Sequence, residues 1–233
     1  MKKIPVIIPA RAGSKGIQGK NVIEFCGKPL LAWSIIQAKS CDKVSNVYVS
    51  TNGDEIARIA VEYGAEIIMR PDEIATDFSS SEEAIFHALQ EIEKRENYDS
   101  VVFLQATSPV RRRLDISKAI ETFEEGKYDS LFSMTILDDY CIWKNTDNIP
   151  FSFSYDYKNR GRRQERECFY LENGSIYIFT KELFFKEKNR LGGRIGMYEM
   201  PMGCSFEIDS EKDIHICEYF MKWFLNNETT IDN

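Results

Sequence analysis

The chain is poor in the residues that build metal centres and nucleophilic sites. It has only two histidines, His87 and His215, each within a helical pattern and without cysteine or acidic partners at metal-ligand spacing. Both read as ordinary surface or core side chains rather than as ligands or bases. The six cysteines, at positions 26, 41, 141, 168, 204 and 217, include no C-x-x-C pair. Isolated thiols of this kind suit a reducing compartment rather than a disulfide framework. No run approaches the roughly 18 apolar residues of a membrane helix. The amino terminus lacks the apolar stretch and cleavage site of a secretory leader, so a cytoplasmic protein without a membrane partner is expected. Positive charge is also in short supply: 30 Lys and Arg against 37 Asp and Glu give a net charge of −7. That is the wrong sign for neutralising a nucleic-acid backbone, and no nucleic-acid partner is expected.

The cations that are present gather in three places, 11–20, 111–113 and 158–166. Local positive charge on an acidic chain suits a small anionic ligand. The first cluster is the most informative. The apolar run Lys3 to Ala10 breaks into Arg11-Ala12-Gly13-Ser14-Lys15-Gly16-Ile17-Gln18-Gly19-Lys20-Asn21, which holds three glycines and three cations. Glycines let backbone N–H groups close around an anion while Arg and Lys neutralise it, so the loop fits a polyphosphate. It is not a Walker A loop, because five residues rather than four separate Gly13 from Gly19 and Asn21 follows Lys20. A G-x-G-x-x-G fingerprint is absent too. A solvated basic turn is the alternative; the three cations at 11, 15 and 20 favour a nucleoside triphosphate.

Apolar runs alternating with helical patterns predict an α/β fold, doubly wound around a mostly parallel sheet. A length of 233 residues fits a single domain (1–233) with an insertion. Strands are expected at Val47–Thr51, Glu66–Met69, Val101–Leu104 and Ser130–Ile136. Helices are expected at Leu30–Ala38, after an Asn52 cap with Glu55 three residues on, after a Ser80/Glu83 capping box, at about Asp115–Phe123 and at about Glu211–Phe224. Between about 138 and 170 this rhythm fails, and six aromatics from Tyr140 to Tyr157 mingle with the basic stretch Lys158 to Arg166. A long solvated loop is a poor home for so many rings; an arm packed on another subunit explains them better.

Ligands of such a sheet bind at the carboxyl ends of its strands. The residues expected there, besides the first loop, are Arg70, Ser81, Gln105, Thr107, Arg111, Glu207 and Asp209. Gln105 and Thr107 can hydrogen-bond a polyhydroxylated substrate, or can form a turn before Pro109. Ser81 can bind substrate or cap its helix. In Ser205-Phe206-Glu207-Ile208-Asp209 a strand period of two places both carboxylates on one face. Two adjacent acids repel unless a cation lies between them, and Mg²⁺ bridging to phosphate oxygens is the natural one; a polar edge strand is the alternative.

Five segments carry a resemblance. IPARAGSKGIQGKN, STNGDEIARIAVEYGA with RPDEIATD, LQATSPVR, RRQERECFYLENGSIYIF, and GGRIGMYEM with SFEIDSEKDI together resemble, in this order, the acylneuraminate cytidylyltransferase family, the CMP-sialic acid synthetases. The resemblance implies transfer of CMP from CTP to the anomeric hydroxyl of a nine-carbon 2-keto sugar acid, with Mg²⁺ and release of pyrophosphate. It implies a nucleotidyltransferase-like core whose 138–170 arm makes a homodimer, with a tetramer also compatible. Arg11, Lys15 and Lys20 would grip the triphosphate; Ser14, Asn21, Arg70 and Ser81 would hold or lie near the nucleotide. Gln105, Thr107 and Tyr177 would contact the sugar. Arg163 and Gln164 would reach across the dimer to the neighbouring site. Glu207 and Asp209 would hold the metal, and Asp209 or a metal-bound water would accept the proton of the attacking hydroxyl.

Three positions depart from the family pattern. Glu207 stands for an Asp, with the same charge and a longer reach. Asn52 replaces the Asp of S-T-D, and Ala106 replaces the first proline of L-Q-P-T-S-P. Two other readings share the fold: a synthetase for the eight-carbon 3-deoxy-manno-octulosonate, and a non-catalytic nucleotide-binding regulator. The sugar is not specified among N-acetylneuraminate, its deaminated analogue, legionaminate and pseudaminate.

Overall fold

Residues 3–13, 16–76, 78–137, 140–162, 164 and 166–227 are described by a computed structural model. In chain order its first half comprises β1 (Ile4–Pro9), a hairpin of β2 (Glu24–Phe25) and β3 (Lys28–Pro29), α1 (Leu30–Lys39), β4 (Val44–Thr51), α2 (Asp54–Glu62), β5 (Glu66–Met69) and α3 (Ser81–Glu93). There follow β6 (Ser100–Leu104), α4 (Asp115–Gly126), β7 (Ser130–Ile136), a hairpin of β8 (Trp143–Thr146) and β9 (Ile149–Ser152), β10 (Tyr170–Thr180), α5 (Lys181–Glu187), β11 (Ile195–Glu199) and α6 (Glu211–Asn227).

Seven strands form one sheet in the order β11-β7-β10-β6-β1-β4-β5. All pairings are parallel except those of β10, which runs against both β6 and β7. The strands are apolar on both faces because helices cover both. Val6 and Ile8 face a core closed by α1, α2, α4 and α6, whereas Ile7 faces a second core closed by α3 and α5. The chain lays β4 and β5 to one side of β1 and then returns to place β6 on the other. The crevice at this reversal lies over the carboxyl end of β1, where the cationic loop begins.

Most expected elements are present, and β5 and β7 have the expected bounds. The capping box of α3 is formed: Glu83 N–H donates to Ser80 Oγ (3.1 Å) and Ser80 N–H to Glu83 Oε2 (2.8 Å). Two expectations are corrected. Asn52 does not cap α2, whose N-cap is Gly53. The Asn52 amide is drawn instead to longer-range partners, accepting from Ala12 N–H (3.0 Å) and donating to Asp72 (3.1 Å). Ser205–Asp209 is not a strand. The 3-10 turn Met202–Ser205 behind Pro201 uses up its first residue, and Phe206–Ile208 runs extended without strand partners. The alternation of sides survives: Ile208 is buried and Phe206 stacks on Phe220 (5.4 Å), while Asp209 is exposed. The β2–β3 and β8–β9 hairpins, α5 and the edge strand β11 were not expected from the sequence.

One buried cation holds the carboxyl end of β6 in place. Arg111 is 3% exposed, and its guanidinium donates to Ser34 Oγ (3.0 Å), Gln37 Oε1 (3.1 Å), the Gln105 carbonyl (2.8 Å) and the Ser175 carbonyl (2.9 Å). Burial lowers its pKa to about 10, so it is still charged at neutral pH. Arg111→Met keeps the length and removes every donor; the Gln105 carbonyl keeps Ser108 N–H (3.2 Å), while the Ser175 carbonyl and the Ser34 and Gln37 oxygens lose the guanidinium. It is expected to lower stability by about 3 kcal/mol in urea unfolding; a change inside about 0.5 kcal/mol would contradict this role for Arg111.

Candidate active site

The rim of the sheet is built by the loop after β1. Ala10 N–H still bonds the Ser50 carbonyl (2.9 Å), and the chain then leaves the sheet. Asn52 holds Ala12 from one side, and Asn21 Nδ2 donates to the Arg11 carbonyl (3.1 Å) from the other. Gly19 takes a left-handed conformation (φ 64°), after which the 3-10 turn Lys20–Val22 begins. Gly16 packs on the backbone of Asp209 so closely that a Cβ would lie 2.2 Å from the Asp209 carbonyl oxygen. Ser14 and Lys15 lie outside the described residues.

From this loop Lys20 reaches across the site to Asp209, Nζ to Oδ1 at 2.8 Å. The Lys20 side chain is 14% exposed and that of Asp209 is 73% exposed, so the pair sits at the mouth of the crevice. Asp209 leads into α6, whose start is fastened by Asp213 accepting from Ser210 N–H (2.7 Å) and Ser210 Oγ (2.9 Å). Ile208 N–H donates to the Thr107 carbonyl (2.8 Å), which registers the acidic segment against the end of β6. Glu207 therefore meets Gln105, whose Nε2 donates to Glu207 Oε2 (2.8 Å) and to Thr107 Oγ1 (3.3 Å). Space for the carboxylate comes from Gly174 (φ 68°), within an irregularity of β10, where a Cβ would lie 2.0 Å from Glu207 Oε1.

Burial and then the Asp209 charge raise the Glu207 pKa, against the pull of Lys20, Gln105 and Arg111. Two hard carboxylates held near one another suit a small divalent cation. Among the described residues no group of three or more His, Cys, Asp or Glu could hold a metal by itself. Any cation here would need water and substrate oxygens to complete its shell, the usual situation for Mg²⁺.

Two further groups face the same rim. Arg70 is 7% exposed, with Nε on Ser50 Oγ (3.1 Å) and Nη2 on the Ser50 carbonyl (2.7 Å). Burial and the nearby Arg11 charge lower its pKa to about 10, and two neighbouring guanidiniums favour an anion between them. Ser81 is the exposed first residue of α3, and the cap is Ser80, which leaves Ser81 Oγ outside the cap. Tyr177 is buried in β10, and its hydroxyl donates to Glu172. Burial and that bond raise its pKa, so it remains a protonated donor. Gln164 is exposed and makes no hydrogen bond among the described residues, and Arg163 lies outside them. An apolar cavity of about 340 Å³ lies against α6 between Pro201, Phe220 and Trp223; none of its lining residues is a candidate site residue. Sequence reasoning missed Glu82, Glu172 and Arg190 around Tyr177, because nothing in their local pattern links three separate segments.

A mostly parallel sheet with a cationic glycine loop at its switch point, facing paired carboxylates, defines an α/β fold of the nucleotidyltransferase kind. The profile of the Cytidylyltransferase family matches residues 5–213, and the chain belongs to that family. It is 35% identical to an N-acylneuraminate cytidylyltransferase of Escherichia coli, over 92% of this chain and 51% of the relative. It is 36% identical to N-acylneuraminate cytidylyltransferase B of Danio rerio, over 91% of this chain and 50% of that protein. The chain thus spans about half the length of these relatives. It is 30% identical to post-translational flagellin modification protein B of Campylobacter coli, over 95% of this chain and 96% of that one. Among solved structures the fold is similar to a CMP:2-keto-3-deoxy-manno-octonic acid synthetase complexed with CTP, with a TM-score of 0.68 at 17% identity over 96% of this chain and 99% of that one. A 4-diphosphocytidyl-2C-methyl-D-erythritol synthase from Anaerococcus prevotii gives 0.66 at 14% identity, over 95% and 99%. Among the described residues no helix is long and apolar enough to cross a membrane.

The raised Glu207 pKa has a consequence for stability. The folded state holds this proton more tightly than the unfolded chain, so stability is lost as pH rises through the folded pKa. In metal-free buffer Glu207→Gln is expected to melt higher than the parent at neutral pH, with the gain disappearing towards about pH 4. Melting curves across this range check it; an equal or lower melting temperature at neutral pH would contradict the placement of the carboxylate.

Proposed function

We propose that this chain transfers CMP from CTP to the anomeric hydroxyl of a nine-carbon 2-keto sugar acid of the N-acylneuraminate class, releasing pyrophosphate. The observation that carries the reading is the Lys20–Asp209 contact, which brings the polyphosphate loop and the acidic segment into one site. In-line attack on the α-phosphorus places negative charge on its non-bridging oxygens and on the departing pyrophosphate. Fixed cations stabilise such charge most where water is excluded. Arg11, Lys15 and Lys20 take this role, with Ser14, Asn21, Arg70 and Ser81 orienting the nucleotide. Gln105, Thr107 and Tyr177 hold the sugar at the end of β6.

Glu207 and Asp209 would hold Mg²⁺; the oxygen-only donor set fits it, as does a Glu207 carboxylate whose pKa burial and then the Asp209 charge raise. When bound, the ion supplies Lewis-acid stabilisation of phosphate oxygens. Asp209, released from Lys20 when that ammonium turns to a phosphate, takes the proton of the attacking hydroxyl at its carboxylate.

We further propose that residues 1–233 act as one domain with the 138–170 segment as a homodimer arm, in the cytoplasm. Exposed Tyr140, Trp143, Phe151, Phe153 and Tyr157 support the arm. Arg163 and Gln164 would then extend towards the neighbouring site.

The test is pyrophosphate release from CTP and Mg²⁺ with N-acetylneuraminate, its deaminated analogue, legionaminate, pseudaminate and 3-deoxy-manno-octulosonate, with product masses. Turnover with at least one nonulosonate is expected, and Lys20→Ala and Asp209→Asn should each lose about 100-fold or more in kcat/KM. Turnover with the octulosonate alone would overturn the sugar class. Tight CTP binding with no pyrophosphate would overturn the reaction. Near-normal turnover of Asp209→Asn at saturating Mg²⁺ would remove Asp209 as proton acceptor.

A further inference from the structure

Three strands end side by side at the rim, and one side-chain amide lies where their loops meet. The sheet order β1-β4-β5 puts β4 between the strand that opens the cationic loop and the strand that ends before Arg70. Neighbouring strands lie about 4.8 Å apart, so the chains leaving β1 and β5 are about 10 Å from each other, too far for a direct hydrogen bond at the strand ends. Backbone bonds reach the end of each pairing: Ala10 N–H donates to the Ser50 carbonyl (2.9 Å) and Arg70 N–H to the Thr51 carbonyl (2.7 Å). Asn52 is the first residue of the middle chain beyond them. Its Oδ1 accepts from Ala12 N–H (3.0 Å), and its Nδ2 donates to Asp72 Oδ1 (3.1 Å). Gly53 seats against the same loop, where a Cβ would lie 2.9 Å from the Ala12 Cβ.

The chemistry of the two partners restricts what can stand between them. A backbone N–H only donates and an ionised carboxylate only accepts, so the bridging side chain has to offer one acceptor and one donor. An amide carries both on one planar group, and its partners settle that the oxygen faces Ala12 and the nitrogen Asp72. A carboxylate at position 52 would keep the Ala12 contact but set two like charges face to face at Asp72. The two tied segments are the flanks of the proposed nucleotide site. Ala12 follows Arg11 in the cationic loop, and Asp72 opens the 3-10 turn Asp72–Ile74 two residues after the buried Arg70. A shift of one flank against the other changes the gap that receives the nucleotide. The end of β6 lies on the far side of β1 and is outside this linkage.

Resting on the proposed reaction, we infer that Asn52 is a positioning residue for CTP: its amide, paired with Asp72, sets the spacing between the cationic loop and the Arg70 segment. It acts on the nucleotide only through those two segments. The donor half of the amide is the part that matters, because a carboxylate reproduces the acceptor half.

The test measures CTP affinity by calorimetry with Mg²⁺, and KM for CTP and for the sugar, in the parent, Asn52→Asp, Asp72→Asn and the exchanged pair Asn52→Asp/Asp72→Asn. Melting temperatures establish that each variant folds. Asn52→Asp is expected to weaken CTP binding by about 10-fold and to leave KM for the sugar within about 2-fold. Asp72→Asn keeps an acceptor opposite the Asn52 amide and is expected to stay within about 3-fold of the parent. The exchanged pair again has one donor and one acceptor, with the amide on the other side, and CTP affinity is expected to return to within about 3-fold of the parent. Two independent charges near a polyphosphate would instead give additive effects, with Asp72→Asn tightening CTP equally in either background, and that result would overturn the pairing. A melting temperature that falls in Asn52→Asp while CTP affinity holds would leave Asn52 a structural role only and overturn the assignment too. A parent that binds CTP but turns over no sugar would remove the reaction, with the affinities still deciding the role of Asn52. A parent that binds no CTP would overturn both.

Discussion

Opposite charges from the two ends of the chain meet at one point, and the site depends on that meeting. Lys20 and Asp209 are 189 positions apart in sequence and 2.8 Å apart in space. As a surface ion pair the contact contributes little to stability, since exposed pairs give at most about 1 kcal/mol. Its importance is geometric. It brings the cationic glycine loop against the acidic segment, and the absence of a Cβ at Gly16 allows the two backbones to touch. A loop of cations alone would bind phosphate without directing a reaction. Acids alone repel, and at Glu207 burial and then the Asp209 charge raise the pKa.

Rigid supports keep that meeting point from drifting. Arg111 ties helix α1, the end of β6 and β10 together through a single buried guanidinium. Arg70 is fixed by Ser50 at the end of β4, and Asn52 fastens the loop at Ala12. Each of these is a polar group bonded inside or at the edge of the core, with the Arg111 Nε alone among their bonding atoms buried without a partner, and so each is costly to move. Lys20 and Asp209, the groups proposed to react, lie beyond this frame at the mouth of the crevice, as groups that must exchange partners during a reaction need to do.

Local chemistry made much of this legible before any coordinates. The apolar runs of β1, β5 and β7 and the Ser80/Glu83 box are all statements about neighbours within a few residues, and they are present as expected. Asn52 was misjudged because a side chain that could cap its own helix had two partners from distant segments. Ser205–Asp209 has a strand's period without a strand's neighbours, and the turn after Pro201 together with a single bond to Thr107 sets its course. Arg111 was expected among the ligand-facing residues at the strand ends, whereas its guanidinium is spent on Ser34, Gln37, Gln105 and Ser175 as the buried anchor of the rim. Arg190 gave no sequence signal at all, because its contacts are with Phe103, Tyr177 and Glu82, which the sheet alone brings together.

A crystal structure with CTP and Mg²⁺ tests the central claim most directly. The account predicts that the phosphate chain lies between the 11–20 loop and Glu207/Asp209, with Lys20 Nζ moved from Asp209 to a phosphate oxygen. Phosphates bound elsewhere on the sheet, or bound here with the Lys20–Asp209 pair still intact, would contradict it.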